Sequence, residues 1–134
     1  MNTLIFNSKI DLWLIILLLT INLFFIFKTY YLEKNKSIKN NFKLLIITLL
    51  IWHPLFTTHY KIDKNILLVR SSIFSWRIPI NNIKSIKETN TLASSPALSL
   101  DRITIIYENK KQIKNIVISP TNKQEFIRYL NSKR

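Results

Sequence analysis

Residues 10–27 form a nearly unbroken apolar run, and that run constrains everything else about the chain. At about 1.5 Å of rise per residue, such a run makes a helix ~27 Å long, close to the thickness of a hydrocarbon core. Its polar interruptions are Asp11 at the edge, Thr20 and Asn22. Trp13 stands near one end and Tyr30 and Tyr31 beyond the other, where aromatic belts meet the headgroups. A cleaved signal peptide would need small residues after the run, and Lys28-Thr29-Tyr30-Tyr31 does not supply them. A second apolar run spans residues 42–58. Lys43 can reach the interface along its aliphatic stem, Trp52 and Tyr60 mark the far end, and His53-Pro54 predicts a kink or an end. The expectation is a membrane anchor over residues 1–57, with two transmembrane helices at about 10–27 and 42–58. Asn22 is expected to hydrogen-bond between them.

The composition fits an anchored, water-facing domain. The net charge is +13, of which +4 falls in residues 1–58 and +9 in residues 59–134. A domain this basic is drawn to anionic lipid headgroups or to nucleic acid, and the anchor favours the lipid. There is no cysteine, which excludes disulfides, zinc thiolates and thiol nucleophiles. There is also no glycine. That excludes phosphate-cradling loops and the G-x-S-x-G elbow. Turns must use Asn, Asp, Pro and Ser, as at Asp63-Lys64-Asn65 and Glu108-Asn109-Lys110.

From Thr58 onward the periodicity becomes that of strands. His59–Asp63, Ile66–Phe74, Trp76–Ile80, Ile83–Glu88, Asp101–Glu108 and Ile113–Ile118 read as six. A closing helix follows, with Ser119 or Thr121 as cap, Pro120 in its first turn, and Phe126, Ile127 and Leu130 on one face. Residues 58–134 are therefore a second domain: an antiparallel sheet with one helix over an open end, an α+β arrangement.

Few residues point to chemistry. His53 and His59 are the only histidines and have one nearby carboxylate, Asp63, so no metal site is expected. Asp101 and Arg102 are adjacent and face opposite ways in a strand. No paired carboxylates and no Ser-His partnership are visible, so no catalytic residue, no enzyme activity and no cofactor are expected. Lys61, Lys64, Arg70, Arg77, Lys84 and Lys87 are the candidate headgroup contacts, each worth about 1 kcal/mol near an anionic surface. Trp76 and Tyr107 fall on core-facing positions, so no nucleic acid is expected. The stretch from Thr89 to Leu100 has no period and reads as a packed connection, with a ligand-facing loop as the sharper alternative.

The run Ser94-Ser95-Pro96-Ala97-Leu98-Ser99-Leu100-Asp101-Arg102-Ile103 resembles the signature of the YyaB-like family of bacterial PH-like domains. Tyr60-Lys61-Ile62, Leu67-Leu68-Val69-Arg70, Trp76-Arg77-Ile78-Pro79-Ile80, Ile83-Lys84-Ser85-Ile86 and Ile118-Ser119-Pro120 with Phe126 follow in the family's order. Members also begin with a stretch like Ser8-Lys9-Ile10-Asp11-Leu12-Trp13-Leu14 and carry two hydrophobic helices. The resemblance implies a strongly bent antiparallel sheet or barrel closed by a C-terminal helix. It also implies a multi-pass protein of the bacterial cell membrane with the PH-like domain in the cytoplasm. This chain departs from the family in its charges: Lys28, Lys34, Lys36, Lys39 and Lys43 in the linker nearly balance Lys9, Lys61, Lys64, Arg70 and Arg77. The function expected is a non-catalytic interaction module at the bilayer surface, with an anionic lipid headgroup or a membrane protein as partner. Two alternatives stand beside it. One is a bacteriocin-immunity protein, since one relative confers immunity to sublancin. The other is a small oligomeric channel or transporter subunit, for which Thr20, Asn22 and Thr48 are few polar groups.

Overall fold

A computed structural model describes residues 3–32, 38–91 and 96–134. The first element, β1 (Leu4–Asn7), leads into α1 (Leu12–Phe27), which continues as a wider helical turn at Lys28–Leu32. Then come α2 (Ile38–Thr57), β2 (His59–Asp63), β3 (Ile66–Ser71) and β4 (Phe74–Pro79). A 3₁₀ turn at Ile80–Asn82 leads to β5 (Ile83–Thr89), β6 (Arg102–Asn109), β7 (Gln112–Ile118) and α3 (Lys123–Ser132).

Alternation along the strands divides each into a core face and a water face. The first sheet has the order β1-β2-β3-β4, with every neighbouring pair antiparallel. Its inner face carries Phe6, Tyr60, Ile62, Leu67, Val69 and Ile78, all buried. The second sheet, β5-β6-β7, adds Ile83, Ile103, Ile105, Tyr107, Ile116 and Ile118. Phe126 and Leu130 of α3 lie fully buried in the same core, and the Phe126 ring meets Phe6 edge-on at 5.2 Å. The antiparallel sheets and closing helix expected from the sequence are therefore present.

The structure corrects the sequence reading in three places. Residues 4–7 form an edge strand that pairs with β2, Phe6 opposite Tyr60 and Leu4 opposite Ile62. The sheet thus takes in a strand before α1 as well as those that follow residue 58. The expected strand Ile66–Phe74 is two strands, turned at Ser72-Ile73, with Ser72 at a φ of 55°. Pro54 lies inside α2, which ends three residues later at Thr57, near where the sequence placed its end. The threonine hydroxyls supply donors at that helix end: Thr57 Oγ1 donates to the His53 carbonyl at 2.9 Å and Thr58 Oγ1 to the Pro54 carbonyl at 2.7 Å. Finally, α3 starts at Lys123 with Asn122 at the cap position and no side-chain cap bond. Pro120 instead bridges Ser8, and Thr121 donates to the Asn7 carbonyl through both its amide and its hydroxyl at 3.0 Å.

Among the described residues α1, extended to Tyr31, is the one helix long and apolar enough to cross a membrane; the apolar part of α2, Phe42–Thr57, is shorter. No α1 side chain is buried by protein. The two helices touch, and Asn22 Nδ2 donates to Thr48 Oγ1 at 3.1 Å between them.

Candidate functional site

After β1 the chain has only Ser8 to Asp11 in which to leave the sheet and start a helix. The segment is fixed by long-range backbone bonds. The Lys9 amide donates to the Ser119 carbonyl at 2.6 Å and the Asp11 amide to the Leu98 carbonyl at 3.2 Å. The Asp11 carbonyl then accepts the first helical bonds, from Leu14 and Ile15. Its carboxylate is not used to cap its own helix. It accepts the Ser99 hydroxyl at 2.7 Å, the Leu100 amide at 2.7 Å and the Trp13 indole N–H at 3.1 Å. Burial pushes the Asp11 carboxyl up, but these donors outweigh it and hold the group below its ordinary 3.8.

The residues that follow complete the clamp. Arg102 is buried, with Nε donating to the Ser99 carbonyl at 2.5 Å and a terminal nitrogen to the Thr91 carbonyl at 2.7 Å. It therefore holds the loop from inside and is not available to a ligand. Asp101 faces the other way and bridges Lys9 at 2.9 Å and Lys123 at 2.7 Å, tying the start of α1 to the first turn of α3. Lys123 also reaches Glu88 at 2.7 Å. Hydrogen bonds from Lys123 and then Lys9 lower the Asp101 carboxyl, and Asp101 and then Glu88 raise the Lys123 ammonium. Beneath them Tyr60 is fully buried. Its hydroxyl donates to Ser8 Oγ at 2.9 Å, lies 3.3 Å from the Pro96 carbonyl and accepts the Ser119 amide at 3.1 Å. Burial pushes this phenol up from its ordinary value. Ser119 Oγ accepts the Leu98 amide at 3.0 Å.

The two distinctive runs of the sequence, 8–14 and 94–103, thus meet in space. Of the second, Ser94 and Ser95 lie outside the described residues, while Pro96, Ala97, Leu98, Ser99, Leu100, Asp101 and Arg102 form a packed connection locked to the base of α1. The sequence singled out both runs but not their partners Lys123 and Ser119. Ser119, read in the sequence as a helix cap and as part of the Ile118-Ser119-Pro120 resemblance, is fully buried.

The basic candidates are not one cluster. Lys61, Leu68 and Arg77 stand side by side across β2, β3 and β4 on the outer face, and with Lys64, Asp63 and Ile66 they line a shallow groove. Arg70 lies on the same face, opposite His59 and Ser75. Lys84 and Lys87 are exposed on β5 of the other sheet, where Lys84 pairs with Glu108 at 2.9 Å. The two histidines are spent on local contacts, His53 Nδ1 at 2.8 Å from Ser72 Oγ and His59 Nδ1 at 2.9 Å from the Thr57 carbonyl.

Two antiparallel sheets of four and three strands around one core, closed by a C-terminal helix, define a PH-like domain, here with two helices inserted between its first strands. A family model described as a bacterial PH domain matches residues 58–134, more than half of the chain, and the chain belongs to that family. No curated protein and no solved structure matches the chain. PH domains are generally non-catalytic interaction modules.

Proposed function

We propose that this chain is a membrane-tethered, non-catalytic interaction module whose PH domain is held at the bilayer surface by a helical hairpin. One observation carries the reading: β1, before α1, and β2, after α2, are neighbours in one sheet. Both ends of the hairpin therefore return to the same side. If α1 crosses the membrane, α2 must cross back. The Asn22–Thr48 bond is the polar contact expected between two such helices. The outer-face residues Lys61, Arg70 and Arg77 then offer an anionic headgroup or an acidic partner a row of cations, with Lys64 beside them. The resemblance to YyaB-like proteins supports the cytoplasm as the side on which the domain lies. The finer placement among YyaB-like proteins belongs to the proposal too, supported by the run 94–103 and by its contact with the run 8–14.

Reporters fused after Tyr31 and after Arg134 test the tether. Opposite compartments are expected, and the same compartment for both removes the two-span arrangement. Native mass spectrometry of the full chain in mild detergent tests the partner. The wild type should retain phosphatidylglycerol over phosphatidylcholine, and a Lys61→Gln/Arg70→Gln/Arg77→Gln variant should lose that preference. Equal retention of both lipids by the wild type rules out the headgroup version.

A further inference from the structure

The turn between β3 and β4 is unlike the other tight hairpin turns among the described residues. Lys64-Asn65 joins β2 to β3 and Lys110-Lys111 joins β6 to β7, so those tips are polar and charged. Ser72-Ile73 instead leads into Phe74, with Ile73 85% and Phe74 60% exposed. An apolar tip of this kind is a cost in water. It is also not free to swing. Ser72 Oγ meets His53 Nδ1 at 2.8 Å, the Ser72 amide donates to Thr57 Oγ1 at 3.0 Å, and Ser71 Oγ lies 2.9 Å from Thr58 Oγ1. These three bonds hold the turn alongside the last turn of α2, where Phe56 is 82% exposed. One helical turn spans about 5 Å along the axis, so a group bonded to both His53 and Thr57 lies beside the terminal turn and not below it.

We infer that the β3–β4 tip, Ile73 and Phe74, inserts into the headgroup–acyl boundary of the bilayer next to the C-terminal end of α2, as a wedge that sets how close the domain sits to the membrane. This rests on the reading of α1 and α2 as membrane helices. The bilayer is the occupant because the tip is continuous with the α2 end, and because Trp13 at the start of α1 and Trp52 towards the end of α2 stand near the helix ends that join the sheet, where aromatic side chains mark the interface. Arg70, one residue from the strand end and exposed, stands on the outer face opposite His59, where it can meet phosphate while the tip takes acyl chain.

The chain has no cysteine, so a single introduced thiol labels cleanly. Ile73→Cys, Leu19→Cys and Lys110→Cys chains carry an environment-sensitive fluorophore and are reconstituted full-length in phosphatidylcholine–phosphatidylglycerol vesicles. The vesicles contain nitroxide lipids spin-labelled either near the headgroup or deep in the acyl chain. The expected result is a blue-shifted emission at position 73 that headgroup-proximal nitroxides quench more than deep ones. Position 19 should be quenched by the deep label, and position 110 by neither. Quenching at 19 with position 73 behaving like 110 overturns the inference and leaves the tether standing. Blue-shifted but unquenched emission at 73 also overturns it, because the tip is then covered by protein, such as a second copy. No quenching at 19 removes the tether and the wedge together. Phe74→Cys repeats the measurement, so that a local disturbance at 73 does not decide the outcome.

Discussion

The two seams that join the helices to the sheets are built from different chemistry. At the α1 seam, four segments far apart in sequence converge: 8–11, 88–91, 96–102 and 119–123 are held by two aspartates, a buried Arg and a shared Lys. At the α2 seam the helix passes through Thr58 into β2, and the side-chain contacts are hydroxyls and two histidines between residues at most 19 apart. One junction is made by covalent continuity and trimmed by neutral bonds. The other also joins a strand to a helix directly, and long-range backbone bonds and charged side chains together fix it. The difference teaches where the domain depends on its N-terminus: the α2 seam draws its side-chain partners from nearby in the chain, while the α1 seam draws them from loops far away in sequence.

The sharpest way to break the α1 seam is to remove the strand that precedes it. Phe6 is 8% exposed, packs its ring on Phe126 and belongs to the common core. Phe6→Ala should cost about 3–5 kcal/mol, as Phe truncations in cores do. Thermal or urea unfolding of the detergent-solubilised chain measures it. A loss below about 1 kcal/mol, the scale of a surface change, would show that β1 is an ornament on the edge and not part of the fold.

Next in size is the Asp11 carboxylate. Asp11→Ala leaves the Ser99 hydroxyl and the Leu100 amide without their acceptor, and hydrogen bonds to a charged group are worth about 1.5–3 kcal/mol each at most sites. Because the site is half-open to water, about 2 kcal/mol in total is expected, read as the shift in unfolding midpoint. The pH dependence follows from the shifts. Asp11 and Asp101 have folded values below 3.8, so the fold favours their ionised forms. Their contribution is fully present above 3.8 and is lost as the pH falls through the folded values. Lys123 has a folded value above 10.5, so its contribution is present below 10.5 and is lost as the pH rises through the folded value. From about pH 5 to 9 the clamp's contribution is therefore flat. Asp11→Ala should show a shallower acid loss than the wild type. An unchanged acid slope means that the carboxylates are not what the fold protects.

Much of this architecture is legible in the sequence, and the misses share a cause. Strands such as Asp101–Glu108 alternate over enough residues to be read, and α3 shows its buried stripe at Phe126 and Leu130. β1 is four residues long, and it precedes an apolar helix that dominates any window containing it. The Ser72-Ile73 turn carries no Gly, Pro, Asn or Asp; its one turn-forming residue type is Ser, the weakest of these signals, and the apolar Ile73-Phe74 beside it reads as strand. The clamp was visible as two unusual runs, but Asp11 and Ser99 are 88 residues apart, and no local pattern predicts their bond. Of the basic candidates, Lys61, Arg70, Arg77, Lys84 and Lys87 stand on strands and Lys64 in a turn. Which of them share a face depends on strand order, and strand order comes from packing.

The α2 seam sharpens the contrast with the smallest effect. Thr57→Val keeps the β-branched shape and removes the hydroxyl that donates to the His53 carbonyl and accepts the Ser72 amide. Both partners lie close to water, so each lost bond is worth about 0.5–1.5 kcal/mol at most and a net loss near 1 kcal/mol is expected. The variant removes no carboxylate. Its stability should therefore fall with acid along the wild-type slope, offset by a constant, where Asp11→Ala changes the slope itself. Midpoints measured for the three chains from about pH 5 down to about pH 2, a range that starts above the ordinary carboxylate values and passes below them, separate the cases. Parallel curves for wild type and Thr57→Val, with a flatter one for Asp11→Ala, mean that acid acts through the α1 seam. If Thr57→Val flattens the curve as much as Asp11→Ala, the two seams unfold as one unit, and the distinction between a charged and a neutral junction no longer describes how the domain is held on its helices.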